Sequence, residues 1–123
     1  MTDKRIVLTT AGSELEARKI ARHLVEHYLA ACVNIVPRVT SIYRWQGNIA
    51  EAAEWLLLVK TTETAFDEVR SAITKLHSYE LPECVCLEIE NGSAAYLQWI
   101  GDNASRAKDL NHKVRKRQAV KTS

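Results

Sequence analysis

Lys60 closes an apolar, strand-like run, and Glu54, six residues before it, falls on the same side by two-residue alternation. An ammonium among apolar neighbours needs a counter-charge, so Glu54, Glu80 or a bound anion must neutralise it. That leaves either a structural ion pair or a small-ligand site that also draws on Tyr43, Trp45 and Tyr79. Cys84 and Cys86 point to one face of a strand, where two thiolates could hold Cu(I) or simply pack as small apolar groups. His23 and His27 stand one helical turn apart beside Glu26, a spacing that can chelate a divalent ion weakly but that exposed imidazoles usually leave solvated.

Catalysis finds less support. The chain has no Gly-x-Ser-x-Gly, no glycine-rich phosphate loop and no His-Glu-x-x-His. Cys32 is the one nucleophile candidate, and without a neighbouring base its thiol stays mostly protonated at neutral pH. A non-enzyme is expected, with no catalytic residues and no obligatory cofactor.

Hydrophobic periodicity supplies the elements that must position these groups. Arg5 to Thr10 reads as a strand ended by Ala11-Gly12. Ser13 with Glu16 forms a capping-box pattern, and Ala17, Ile20, Ala21, Leu24, Val25 and Tyr28 then recur as one helical stripe. From Cys32 to Trp45 the chain turns β-rich, with Val39, Ser41, Tyr43 and Trp45 on one face. Pro37 implies an edge position, a bulge or a break there. Gln46-Gly47-Asn48 turns the chain, and Glu51 to Thr61 returns as a long strand whose second half looks buried on both sides. Thr64 is placed to cap a second helix with the stripe Phe66, Val69, Ile73 and Leu76. Cys84 to Ile89 is a fourth strand, and Ser93 caps a third helix through Tyr96, Trp99 and Ile100. The order βαββαβ plus a helix fits an α+β, ferredoxin-like sandwich with both crossover helices on one sheet face.

The hairpin is too long for that sheet. At about 3.3 Å per residue each arm exceeds about 35 Å, whereas the first helix covers about 25 Å of sheet. Part of each arm overhangs, carrying Tyr43, Trp45 and Trp55, and large aromatics on a bare ribbon call for a partner. A homo-oligomer with clefts between subunits is expected.

Composition bounds the rest. The chain has 123 residues, 46% hydrophobic and 26% charged, the make-up of an ordinary folded protein. The longest apolar run, Tyr28 to Val33, is far below the roughly 20 residues of a membrane span, and no secretory h-region follows Met1, so a cytoplasmic protein without membrane contact is expected. Three cysteines exclude a disulfide framework. Residues 1–105 carry ten Lys or Arg against fourteen Asp or Glu, and residues 106–123 carry seven against one. We therefore expect a folded domain over 1–105 and a basic tail over 106–123, partly helical or disordered. No aromatic interleaves the tail to stack on bases, so nucleic-acid binding is not expected.

Five ordered blocks carry a family resemblance: Ala30-Ala31-Cys32-Val33-Asn34, Ser41-Ile42-Tyr43-Arg44-Trp45-Gln46-Gly47, Glu54 with Lys60-Thr61, Tyr79-Glu80-Leu81-Pro82-Glu83, and Tyr96-Leu97-Gln98-Trp99-Ile100. In order and spacing they resemble the divalent-cation tolerance family CutA. The resemblance implies ferredoxin-like homotrimers with intertwined hairpins, and a role in tolerance of copper and other divalent metals. It also implies metal ligands, of which two are changed: Thr9 stands where some members have a first-strand cysteine, and Leu76-His77 where they have paired histidines. His77 and Cys32 are what remains of a candidate copper or divalent-metal site. The cleft residues Tyr43, Trp45, Glu54, Lys60, Tyr79 and Glu80 form the other candidate. By fold analogy to PII-type regulators, such a cleft would take a small anionic ligand. A third reading is a structural trimer that meets an unidentified protein partner through its basic tail.

Overall fold

The computed structural model describes residues 2–105, so expectations for the tail lie outside the described residues. Chain order is β1 (Lys4–Ala11), α1 (Glu14–Glu26), β2 (Cys32–Trp45), β3 (Asn48–Thr62), α2 (Phe66–Leu76), β4 (Val85–Glu88) and α3 (Ala94–Asn103). The four strands form one sheet in the order β2-β3-β1-β4, every neighbouring pair antiparallel. Val7 and Ala11 of β1 and Leu57 and Val59 of β3 form one core with Ala17, Ile20 and Leu24 of α1 and Val69, Ala72 and Ile73 of α2. Both crossover helices thus cover one face, as the ferredoxin-like pattern requires.

Side chains alternate across a strand, so Ile6, Leu8, Leu56 and Leu58 belong to the opposite face. There α3 covers one end only, with Ile100 buried and Thr62 Oγ1 donating to the Ala104 carbonyl at 2.7 Å. The remainder, including Val36, Val85 and Leu87, is open in the single chain. Leu56 and Leu58 are consequently half-buried rather than enclosed on both sides.

β1 pairs with β3 only as far as Ala11 opposite Trp55. Beyond that point Val39–Trp45 and Asn48–Glu54 pair with each other alone, which is the overhanging ribbon. Gln46 (φ 50°) and Gly47 (φ 81°) make a two-residue turn of the type that matches strand twist. The register shifts between Val36 and Val39, where Pro37 sits on edge strand β2 and Arg38 takes φ 51°. That bulge has a geometric effect: before it Asn34 and Val36 share the face of Leu58 and Leu56, and after it Val39, Tyr43 and Trp45 share the face of Glu54.

Local expectations needed four corrections. Ser13 Oγ accepts from the Glu16 amide at 3.1 Å, but the Glu16 carboxylate turns away from the cap to Ser78, so half of the capping box forms. α1 ends at Glu26, leaving Val25 and Tyr28 exposed, with Tyr28 at φ 57°. Ala65 is the cap residue of α2, and its amide is met by Thr62 Oγ1 at 3.3 Å, not by Thr64. On α3 only Ile100 of the expected stripe is buried, and the Tyr96 and Trp99 rings stack on each other in the open, 5.6 Å apart.

Candidate functional site

The segment that leaves α2 is bolted to the end of β1. His77 has no exposed side-chain surface; its Nε2 donates to the Thr10 carbonyl at 2.5 Å, and its Nδ1 accepts the Tyr79 amide at 3.1 Å. Glu16 of α1 braces the same segment, taking the Ser78 amide at 2.6 Å and the Ser78 hydroxyl at 2.9 Å. Thus held, the Tyr79 ring passes beside Gly12, where a Cβ would stand 2.8 Å from the phenol oxygen. It ends on β3, its hydroxyl donating to Glu54 Oε2 at 2.9 Å. Burial, and then the hydrogen bond and charge of Glu54, push the Tyr79 phenol up to about 12. It therefore stays a donor across the physiological range.

Glu54 is 7% exposed, and among the described residues it has no ion pair. Beside it opens a pocket of about 400 Å³ lined by Thr10, Tyr43, Arg44, Trp45, Glu54, Tyr79, Glu80, Leu81 and Glu83. Five of the six expected cleft residues meet here: Tyr43, Trp45, Glu54, Tyr79 and Glu80. Lys60 does not line it. Six residues along β3 amount to about 20 Å, and Lys60 Nζ donates instead to Asn34 Oδ1, on the neighbouring strand. Within one chain Lys60 is half-exposed, on a sheet face left open. Arg44, Leu81, Glu83 and Thr10 were not among the expected cleft residues; Arg44 lies in the Ser41–Gly47 block and Leu81 and Glu83 in the Tyr79–Glu83 block, but no pattern marked Thr10.

The metal candidates are scattered. Both ring nitrogens of His77 are used within the chain, so a metal there would have to break two hydrogen bonds. Cys32 lies across from Lys60, and its thiol donates weakly to Asn34 Oδ1 at 3.8 Å. Cys84 and Cys86 pack against the core, and burial raises both thiols above the ordinary cysteine range, which favours the thiol over the metal-binding thiolate. The His23 and His27 rings stack 4.1 Å apart, and burial followed by the His27 charge lowers the pKa of His23. Thr9 Oγ1 is buried without a partner. Among the described residues no three His, Cys, Asp or Glu side chains converge on one point. Among the described residues the donor set does not fit a copper centre.

The family profile described as CutA1 divalent ion tolerance protein matches residues 5–103. The chain belongs to this family. It is 53% identical over 100 residues to the divalent-cation tolerance protein CutA of Thermus thermophilus, covering 81% of this chain and 97% of that one. A CutA homolog of Xenopus laevis is 43% identical over 93 residues, covering 76% of this chain and 62% of the relative. The solved Cut A1 structure from Thermus thermophilus superposes with a TM-score of 0.82 at 52% identity, over 83% of this chain and 99% of that one. Ferredoxin-like architecture, hairpin included, is therefore the architecture of the CutA family. No helix among the described residues is long and apolar enough to cross a membrane.

Proposed function

We propose that this protein acts in the response to divalent cations as a cytoplasmic, non-catalytic homotrimer that reads a small ligand in the pocket beside Glu54. The family supports the first part, since its description and the name of the Thermus relative both specify divalent-cation tolerance. The observation that carries the second is the buried Glu54 carboxylate, held by Tyr79 at the wall of a pocket built from β1, the ribbon and the segment after α2. Such a concave site with a few fixed polar groups among aromatic faces is what small-molecule recognition uses. The trimer is supported by the ribbon, where Ile42 is 65% and Ile49 is 70% exposed, and by the open apolar face with Val85 and Leu87. Three free thiols suit a reducing compartment.

In this reading copper is not held in a formed centre. It binds weakly at dispersed imidazoles and thiols, and tolerance is exerted through the pocket. Calorimetric titration of chelator-stripped protein with Cu(I), Cu(II) and Zn(II) is expected to give only weak heats. Tight stoichiometric binding of any of them would replace this reading with direct sequestration. The anionic alternative drawn from PII-type regulators is disfavoured by the lining, which among the described residues sets Glu54, Glu80 and Glu83 against the single guanidinium of Arg44.

A further inference from the structure

We infer that the pocket beside Glu54 takes an organic polyammonium cation, a short aliphatic diamine or polyamine, an inference that rests on the pocket reading above. Three features point to that class. First, charge: a carboxylate out of water needs pairing, yet Glu54 is only 7% exposed and its bond from Tyr79 comes from a neutral phenol. Glu80 and Glu83 add two more carboxylates to the lining, and the one cation lining it among the described residues, Arg44, reaches back to the Gly47 carbonyl at the turn (3.5 Å). Second, spacing: among the described residues no three carboxylates converge as metal ligands would, whereas a molecule with positive charges spread along a chain can meet carboxylates that stand apart. Third, surface: Tyr43, Trp45 and Tyr79 offer aromatic faces. Alkylammonium groups gain from such faces, whereas a hydrated metal ion does not readily shed its water for them. A volume of about 400 Å³ is at the small end of ligand pockets and suits a chain of this kind.

The test follows the Trp45 indole resonance in the full-length assembled protein, with 1,4-diaminobutane, spermidine, 1,4-butanediol, magnesium chloride and sodium citrate as probes at matched ionic strength. The inference expects saturable shifts with the two amines, none with the diol, and no displacement of the amines by magnesium. Glu54→Gln is expected to weaken amine binding at least tenfold while circular dichroism and sedimentation stay unchanged. If Glu54→Gln fails to assemble, Glu80→Gln with Glu83→Gln is expected to weaken spermidine more than the diamine. Equal binding of diol and diamine, or binding of citrate in place of amines, overturns the amine class and leaves the pocket reading standing. Silence of Trp45 toward every probe overturns both.

Discussion

Tyr79 and Glu54 are joined by a 2.9 Å hydrogen bond that ties the loop after α2 to the first β3 residue beyond the reach of β1. The bond closes a path that runs from Glu16 on α1 through Ser78 and His77 to the root of the ribbon. The position of the pocket wall is thereby set by both helices and by two strands.

This bond predicts an unusual tyrosine titration. Tyr79 is pushed up to about 12 against an ordinary value of 10. The folded state then holds its proton more tightly than the unfolded chain, so the stabilisation is complete below about pH 10 and is lost as pH rises through about 12. Ultraviolet titration should show one of the four tyrosines ionising last. Glu54→Gln should bring that last step down, because it removes the charge facing the phenolate; an unmoved step would show that burial alone sets it.

Gly12→Ala should dislodge Tyr79 rather than the backbone, since the new Cβ meets the phenol oxygen at 2.8 Å. Loss of the bond to the Glu54 carboxylate is expected to cost about 1.5–3 kcal/mol in denaturant melts. With the phenol oxygen already removed in Tyr79→Phe, the same glycine change should cost much less. Additive costs in that double-mutant cycle would show that Gly12 acts elsewhere.

Deletion of Arg38 should leave the faces of the ribbon as they are. With the extra residue gone, Pro37 falls opposite Trp55 and Val39 remains opposite Glu54, so Tyr43 and Trp45 keep the face of Glu54. The expected result is a folded, self-associating protein with little change in Trp45 fluorescence. A disrupted pocket or weakened self-association by sedimentation would show that the bend at the bulge, and not the register, sets the course of the ribbon.

Thr9→Val should stabilise the fold. The Thr9 hydroxyl is buried against the core with no partner, and an unmatched group of that kind costs about 1–3 kcal/mol. A rise in thermal midpoint is expected, and a fall would indicate a bridging water at that hydroxyl.

The sheet was legible because its signals are local. Alternation fixed the strands, Gln46-Gly47 fixed the turn, and the length of the arms against α1 already required an overhang. Pro37 announced the bulge, though only the register reveals that Arg38 is the inserted step. The site was half legible. Tyr43, Trp45, Glu54, Tyr79 and Glu80 were marked by the counter-charge that Lys60 requires and by the family blocks. Lys60 does share the face of Glu54, but alternation reports the face of a side chain and not its distance along the strand, and within one chain Lys60 meets Asn34. Glu16 looked like a capping residue, and its long-range bond to Ser78 has no trace in the neighbouring sequence. The outer stripe residues Val25, Tyr96 and Trp99 were expected inside because periodicity marks an apolar side without saying how much of it one chain can cover.

The limited reach of β1 also orders the folding process. Trp45 with Asn48 closes the smallest loop in the sheet, so the ribbon can zip outward from its turn on a microsecond scale of about 1–10 μs. The pairing of Arg5 with Glu88 joins nearly the whole described length and must wait for that larger entropy loss. The arm that ends up farthest from the core is therefore formed among the earliest parts of the molecule, and a nascent chain would present it, aromatic and without a covering partner, before β4 has left the ribosome.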